Sequence, residues 1–416
     1  MSKKKRLVFS LLLMAMGLLL AWRILVVGLG DHFARKAQLG DKEAVDSALM
    51  WNSNNPKALF LKGYYLRDKD PKSAMELLRQ AIVLNPGDGP AMQSLAWLLL
   101  KQQQPEQADG MMLLAVERMP ASKTIHLQAA EYWLSRGKID RAVENWATAL
   151  ELDSKLGARI YPMLARLAEN PATLGVLKKL LQAPPPWWDD FFEYLATNTR
   201  KLETLVNVAT LRHATEKPLS GRERELLVER LQKEAQWPEA YLVWINGLTP
   251  EQHRYLGSVF DGGFEIPPGK GGFFWQFPEN NAWLIRRKHT YGSEGEKSLH
   301  ILYKGSNTPV KQVYQYLLLG KGEYLLQLRF RVDRLRIASG LHWVVRCAGG
   351  EERILGSTTP LVGASDWDLQ QLHFKVPNTR DCRGQLLRLE ISDAQGDSQS
   401  VEGEVWFDRF SIRKLP

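Results

Sequence analysis

Alanines recur in the first half of this chain at a fixed step of 34 residues: Ala74, Ala108 and Ala142, then Ala81, Ala115 and Ala149. Pro86 and Pro120 keep the same step, with Ser154 in the third slot, and Ala96 and Ala130 lie 12 residues ahead of Ala108 and Ala142. Small residues at such places let two antiparallel helices of a repeat approach closely. The large residues between them, Leu78, Met112 and Trp146, fill the remaining gap. Proline ends the second helix and starts the next unit. The pattern predicts stacked helix pairs over about residues 55–154, preceded by a half unit (Gly40–Pro56) with Ala44 and Pro56 in register. Gly63 lies one residue closer to Ala74 than the period expects, which predicts a shortened turn in the first pair.

Period and residue types together resemble the tetratricopeptide-repeat family. The resemblance implies an α-solenoid whose concave face grips a protein partner. No cluster of Lys, Arg and Asn recurs on one helix face, as a carboxylate-clamp version would require. Beyond Ser154 the period fades, while helical patterning continues to about residue 256. A last repeat-like hairpin is visible in RERELLVERLQKEAQWPEAYLVWINGL, with Ala240 and Trp244 in the small and large positions of its second helix. The Pro184–Pro186 run separates two helical blocks. Trp187, Trp188, Phe191 and Phe192 follow it, readable either as an exposed docking patch or as the core of the next helix pair.

The net charge of +9 suggests nucleic acid until it is located. Residues 1–36 hold Lys3, Lys4, Lys5, Arg6, Arg23, Arg35 and Lys36 against a lone Asp31. The rest of the chain is close to neutral and has no basic stripe to follow a phosphate backbone, so nucleic acid is not an expected partner. Behind the basic cluster, an apolar run from Leu7 to Trp22 resumes from Ile24 to Gly30 and is long enough to cross a bilayer. Arg23 lies past its middle and can snorkel to the far interface. Lys3 to Arg6 are expected in the cytoplasm by the positive-inside rule, with the bulk of the chain on the other side. A cleaved signal peptide is the competing reading, but no small-x-small site follows the first apolar run. No Cys near residue 20 offers a lipid attachment point.

At about Gly257 apolar–polar alternation replaces helical spacing. Strands are predicted at Tyr324–Val332, Leu341–Cys347, Leu369–Val376, Gln385–Ser392 and Val405–Ile412. In YLLQLRFRV, Leu325, Gln327, Arg329 and Arg331 share one face, and QQLHFKV and QLLRLEI alternate less strictly. Short strands separated by Gly, Pro, Asn and Asp predict an antiparallel β-sandwich.

The ordered set VFDGGFE (Val259–Glu265), Trp275 in an aromatic run, GEKSLHI (Gly295–Ile301), GEYLLQLRFRV and VWFDRFSI (Val405–Ile412) is similar to galactose-binding-like jelly rolls of carbohydrate-binding modules. Anchor, repeats and sandwich together resemble tetratricopeptide-repeat proteins of bacterial exopolysaccharide and cell-envelope gene clusters. The resemblance implies polysaccharide as a ligand, with Trp275, Trp283, Tyr291 and Trp367 as glycan-binding candidates. Trp275 and Trp283 are expected to be exposed in loop-like sequence, and Trp343 to lie in the core. Many sandwiches of this kind serve instead as docking or packing domains, and that alternative stays open. The resemblance also places the first strand beside the last. Glu265 then lies near Asp408, and the two carboxylates are suitable ligands for a structural calcium ion. The alternative is that they satisfy turn amides. Cys347 ends one predicted strand and Cys382 precedes another; antiparallel pairing of the two would bring them within disulfide reach, and an oxidising compartment would preserve the bond.

No nucleophile elbow, Walker loop, HExxH or dinucleotide fingerprint occurs. Pro267–Gly272 (PPGKGG) lacks the Ser/Thr and following helix of a phosphate loop and reads as a turn. The adjacent carboxylates of Trp187–Asp190 and Glu402–Glu404 diverge in a helix or strand, and the histidines, His126 among them, lack ligand spacing. No enzyme is expected. The sequence therefore reads as a bacterial inner-membrane protein with one pass and a periplasmic bulk. Its expected divisions are 1–30 (basic tail and anchor), 31–154 (tetratricopeptide repeats), 155–256 (further helical block) and 257–416 (sandwich). The expected role is a scaffold for protein partners of an envelope assembly in polysaccharide synthesis or export, or alternatively a purely structural adaptor.

Overall fold

The computed structural model describes residues 3–216, 218–349, 352–392 and 398–416; the side chains of residues 3–8, the Lys3–Arg6 cluster included, and of residue 398 lie outside that description. The chain divides into two compact units, Met1–Trp188 and Asp189–Pro416.

The first unit is helical: α1 (Lys3–Gln38), α2 (Ala44–Trp51), α3 (Pro56–Leu66), α4 (Pro71–Leu84), α5 (Gly89–Lys101), α6 (Pro105–Arg118), α7 (Lys123–Ser135), α8 (Ile139–Leu152), α9 (Gly157–Glu169), α10 (Pro171–Leu174) and α11 (Lys178–Gln182). Phe9–Gln38 is long and apolar enough to cross a membrane. The end of α1 has a second role. Ala34 packs with Ala48 and Ala58, Ala37 packs with Ala44, Val45 and Leu61, and Asn55 Nδ2 donates to Asp31 Oδ1 at 2.7 Å. A Cβ on Gly30 would meet the Cβ of Asn52 at 2.8 Å. The apolar helix therefore continues, without a break, as the first helix of the stack.

Three helix pairs follow, and their starts are encoded locally. Pro56 and Pro71 sit in the first turns of α3 and α4, where a missing N–H costs nothing. Asn55, Asp70 and Asp88 cap α3, α4 and α5 by accepting from Ala58, Ser73 and Ala91 N–H groups. Every alanine of the 34-residue period is fully buried, as are Leu78 and Met112. In the first pair the turn covers 67–70, against 102–104 and 136–138 in the next two. The expected shortening of that turn is therefore not seen. α3 instead ends three residues past Gly63, where α5 ends five past Ala96, and Gly63 lies against Leu78 Cγ and Ala74 O, where a Cβ would approach to 3.0 and 3.1 Å. Trp187, Trp188, Phe191 and Phe192 are all buried, which makes them core and not an exposed patch.

The second unit opens with α12 (Trp188–Asn198, its first residue shared with the preceding unit), α13 (Leu202–His213), α14 (Gly221–Lys233) and α15 (Trp237–Ile245). A capping box closes the start of α14: Glu223 N–H donates to Ser220 Oγ, and Ser220 N–H donates to Glu223 Oε2. Among the described residues nine strands follow: β1 (Trp283–Lys288), β2 (Ser298–Pro309), β3 (Lys311–Leu317), β4 (Gly322–Arg336), β5 (Leu341–Cys347), β6 (Ile354–Ser357), β7 (Gly363–Val376), β8 (Gln385–Ile391) and β9 (Ser398–Lys414). They form two antiparallel sheets, β1-β2-β9-β4-β7 and β3-β8-β5-β6. Trp343, Phe407, Phe410, Trp275 and Phe264 meet in the core between them.

QLLRLEI departs from the alternation expected of it: every residue of β8 is buried. β8 is an interior strand of its sheet, and its outward-facing Arg388 and Glu390 pair with each other, with Arg346 and with Glu352. Both faces of the strand are thereby covered, so the apolar period fades.

The two helices α14 and α15 pack together, but their second aromatic position also reaches outside the hairpin. Ala240 and Trp244 are buried, but the Trp244 indole meets Phe260, Phe273 and Phe274 at 5.1, 5.4 and 5.2 Å. Trp237 packs on Tyr316 of β3 at 5.3 Å. The last helix and the sandwich share one aromatic cluster.

Candidate glycan groove and carboxylate pair

Segment 259–266 runs beside β9. Phe410 N–H donates to Gly262 O at 2.9 Å, and a Cβ on Gly262 would fall 2.0 Å from Phe410 O, so only glycine fits. Asp261 then folds the chain back by accepting from the N–H groups of Glu265 and Ile266 at 2.8 and 3.1 Å. This turn aims Glu265 at the loop 289–297, which lies across β9. Glu265 Oε1 accepts from Glu296 and Lys297 N–H at 3.0 and 3.4 Å, and Oε2 from Glu296 at 3.2 Å. Asp408 Oδ2 accepts from Glu294 N–H at 2.8 Å and Oδ1 from Arg409 N–H at 2.7 Å.

Burial pushes the Asp408 carboxyl up; the two amides oppose this and the charge of Glu265 adds to it, leaving the group at about 6. Calcium takes ~6–8 oxygen ligands. The donor set here is thin: two carboxylates whose four oxygens already accept from backbone amides. Among the described residues there is no group of three or more His, Cys, Asp or Glu side chains that could hold a metal ion.

The same loop reaches Trp367 on β7. The indole Nε1–H donates to Tyr291 O at 2.9 Å, and Gly292, at φ +81°, lies so near that a Cβ would meet Trp367 Cδ1 at 2.7 Å. The Arg329 guanidinium stands over the ring at 5.2 Å and also pairs with Glu294 at 3.1 Å. Trp367, Arg329, Gln327, Asp368, Arg409 and Ser411 line a groove of ≈ 710 Å³ on the outer face of the five-stranded sheet. Tyr291, 92 % exposed, stands on the loop that meets it. An aromatic ring with amide, hydroxyl, carboxylate and guanidinium groups around it can stack on a sugar ring and hydrogen-bond its hydroxyls.

Two of the four aromatic candidates are elsewhere. Trp275 is buried among Phe264, Trp343 and Phe410, with its N–H donated to Asp261 O. Trp283 is buried too, with its N–H donated to Pro278 O. Neither exposes a face to a sugar, which corrects the expectation from loop-like sequence: Trp275 is enclosed by aromatic rings, and Trp283 opens β1, paired with Tyr303 of β2. Gln327 and Arg329 had a signal in the alternation of YLLQLRFRV. Ser411 and Arg409 had none, because a bulge between Gln327 and Arg329 sets the register of β9 against β4, and Asp368 comes from β7, opposite Phe330. Cys347 ends β5 opposite Gln385 of β8, and it is bonded to Cys382 with Cα atoms 4.5 Å apart. His126 is buried, its ring nitrogens 2.9 Å from Asn145 Oδ1 and Pro120 O.

The helix pairs α3 to α6 have the buried alanines and the short turns of a known repeat. Residues 65–124 match the tetratricopeptide-repeat family model. The tetratricopeptide segment is similar to the solved structure of MamA, at 18 % identity and a TM-score of 0.26 over 32 % of this chain and 79 % of MamA. A CBM4 structure is similar at 13 % identity and a TM-score of 0.28, covering 39 % of this chain and 99 % of that one. TmCBM61, solved with β-1,4-galactotriose, is similar at 13 % identity and a TM-score of 0.26, covering 38 % and 99 %. No curated protein sequence matches the chain.

Proposed function

We propose that this chain is a non-enzymatic scaffold of the bacterial cell envelope. The apolar part of α1 holds it in the inner membrane, with Lys3–Arg6 cytoplasmic and the rest periplasmic. The tetratricopeptide repeats hold a protein partner of an assembly that makes or exports polysaccharide. Tyr64 on α3 and Trp97 on α5 remain partly exposed there for such contacts. The sandwich takes polysaccharide in the groove at Trp367. The observation that carries this reading is the half-exposed indole set among Arg329, Gln327, Asp368 and Ser411. The packing of Asp31, Ala34 and Ala37 into the stack supports an uncleaved α1, since cutting there would strip the first helix from the array. A calcium ion between Glu265 and Asp408 belongs to the same proposal, supported by the way the two carboxylates converge beside Gly263 from distant segments.

A purely structural adaptor is the second reading, favoured by the way Arg329 covers one face of Trp367. The two are separated by passing the detergent-solubilised full chain over immobilised neutral and acidic polysaccharides. Retardation that Trp367→Ala weakens supports the glycan reading, and elution with the void for every polysaccharide leaves the adaptor. A reporter active only in the periplasm, fused after Pro416, should work; activity of a cytoplasmic reporter alone would reverse the topology. Release of sugar fragments from the same polysaccharides would expose an enzyme.

A further inference from the structure

A second cleft, of ≈ 910 Å³, lies between α14 and the outer face of β3 and shares no lining residue with the groove at Trp367. Its size is within the ~300–1,000 Å³ usual for ligand pockets. The loop that forms its rim is pinned from several sides. Gly271 and Gly272 have φ of +63° and +59°, and a Cβ on Gly271 would come 3.2 Å from Glu229 Oε1 while one on Gly272 would come 2.6 Å from Trp244 Cδ1. Gln232 Nε2 donates to Gly272 O at 3.2 Å. Gln276 and Tyr314 exchange both backbone hydrogen bonds, at 2.8 and 3.2 Å. A cleft held this way needs little ordering before it binds, and that lowers the entropic cost of binding.

Part of what lines the cleft is unsatisfied. Tyr314 and Tyr316 present half-buried rings, and Trp237 braces the second of them at 5.3 Å. Neither phenolic hydroxyl has a hydrogen-bond partner among the described residues, and Glu229, Lys233, Lys270 and Glu279 likewise have no hydrogen bond or ion pair among them. The Glu229 side chain is exposed at the cleft, and its carboxyl is pushed up by partial desolvation and then by the charge of Glu225. Carboxylates and ammonium groups surround the cleft in near balance, so neither an anion nor a cation is strongly preferred. Flat rings beside donors and acceptors of both kinds suit a ligand rich in hydroxyls and without charge.

We propose that this cleft is a saccharide site that takes a short stretch of an uncharged polysaccharide. Tyr314 and Tyr316 face the sugar rings, and Glu229 and Lys233 hydrogen-bond the hydroxyls. It rests on the reading that this chain binds glycan, and it adds that α14 supplies half of the binding surface. The chain then has two separate places at which one polymer can be held.

The test is calorimetric titration of the detergent-solubilised full chain with β-1,4-linked hexasaccharides of glucose, xylose and galactose, and with an alginate hexamer as the charged control. Trp367→Ala removes the groove, so binding that survives in it reports the cleft. In that background Glu229→Gln, an exposed and nearly isosteric change, should weaken binding of the responding neutral sugar about tenfold, and Tyr314→Ala more. Glu229→Gln keeps the test valid even where Tyr314→Ala lowers the melting temperature. If Trp367→Ala abolishes all binding and Glu229→Gln alone titrates like wild type, the cleft is overturned while the groove stands. Alginate binding tighter than every neutral sugar to the Trp367→Ala chain overturns the cleft as well. A wild-type chain that binds none of the probes removes both sites together.

Discussion

Glu265 and Asp408, far apart in sequence, aim carboxylate oxygens at the same small space. A Cβ on Gly263 would lie 3.6 Å from Glu265 Oε1 and 3.8 Å from Asp408 Oδ1. Asp408 is fully buried there, and its carboxyl is pushed up to about 6 by burial, with the Glu265 charge adding to the effect. Because the folded state holds this proton more tightly than the unfolded chain does, Asp408 favours folding below about pH 4 and loses that contribution as pH rises through about 6. Asp408→Asn cannot titrate. Its melting temperature relative to wild type should therefore climb between about pH 4 and pH 7 in chelator. A flat or falling difference would mean that Asp408 ionises normally.

On the proposed reading, calcium would compete with that same proton. Scanning calorimetry of the full chain at about pH 7 should show the sandwich transition at higher temperature with calcium than with chelator, because a cation bound only by the folded state stabilises it. Coincident curves would remove the metal and leave the pair as acceptors for the loop 289–297.

Ala108 is fully buried at a close helix contact. Ala108→Trp overpacks it and should destabilise the array by roughly 1–3 kcal/mol or more, seen as an earlier helical transition by circular dichroism. An unchanged transition would place Ala108 outside any tight contact.

Trp244 joins α15 to the loop ahead of the sandwich. Trp244→Ala should cost about 3–5 kcal/mol, and a chain beginning at residue 258 should melt well below one beginning at residue 189. Equal melting temperatures for the two chains would show that the aromatic cluster contributes little to the sandwich.

The Cys347–Cys382 bond closes a loop with a sequence separation of 35, worth roughly 3–4 kcal/mol in the chain-entropy model. Thiol labelling of the unfolded, unreduced chain from envelopes should find no free thiol, and Cys347→Ser with Cys382→Ser should lower the melting temperature. Two labelled thiols would refute the bond in the cell.

Much of the helical region was legible because the information is local and periodic. Ala74, Ala108 and Ala142 are small for one reason repeated three times, and the caps Asp70 and Asp88 sit beside the helices they start. The strand Leu341–Cys347 was legible in the same way. The rest depends on contacts between distant segments. β1, β2, β3 and β6 have no clean alternation, since their burial is set by the strands or helices they meet. Trp275 looked exposed in a Gly- and Pro-rich stretch, yet Trp343 and Phe410, far away in sequence, enclose it. Trp244 fits a repeat position, but its partners Phe260, Phe273 and Phe274 belong to the next fold. The groove needed the bulge at β4 and the folding of loop 289–297 onto Trp367, neither of which a pattern along one strand encodes.

Helix α1 runs unbroken for 36 residues, about 54 Å at 1.5 Å per residue. Its far end is cemented into the repeat stack through Asp31, Ala34 and Ala37. A stalk and its head made from one helix have no swivel between them. Tilting the apolar end tilts the repeats by the same angle, and turning it turns them. On the proposed reading, a partner held by the array would be presented at a height and heading set by the stalk.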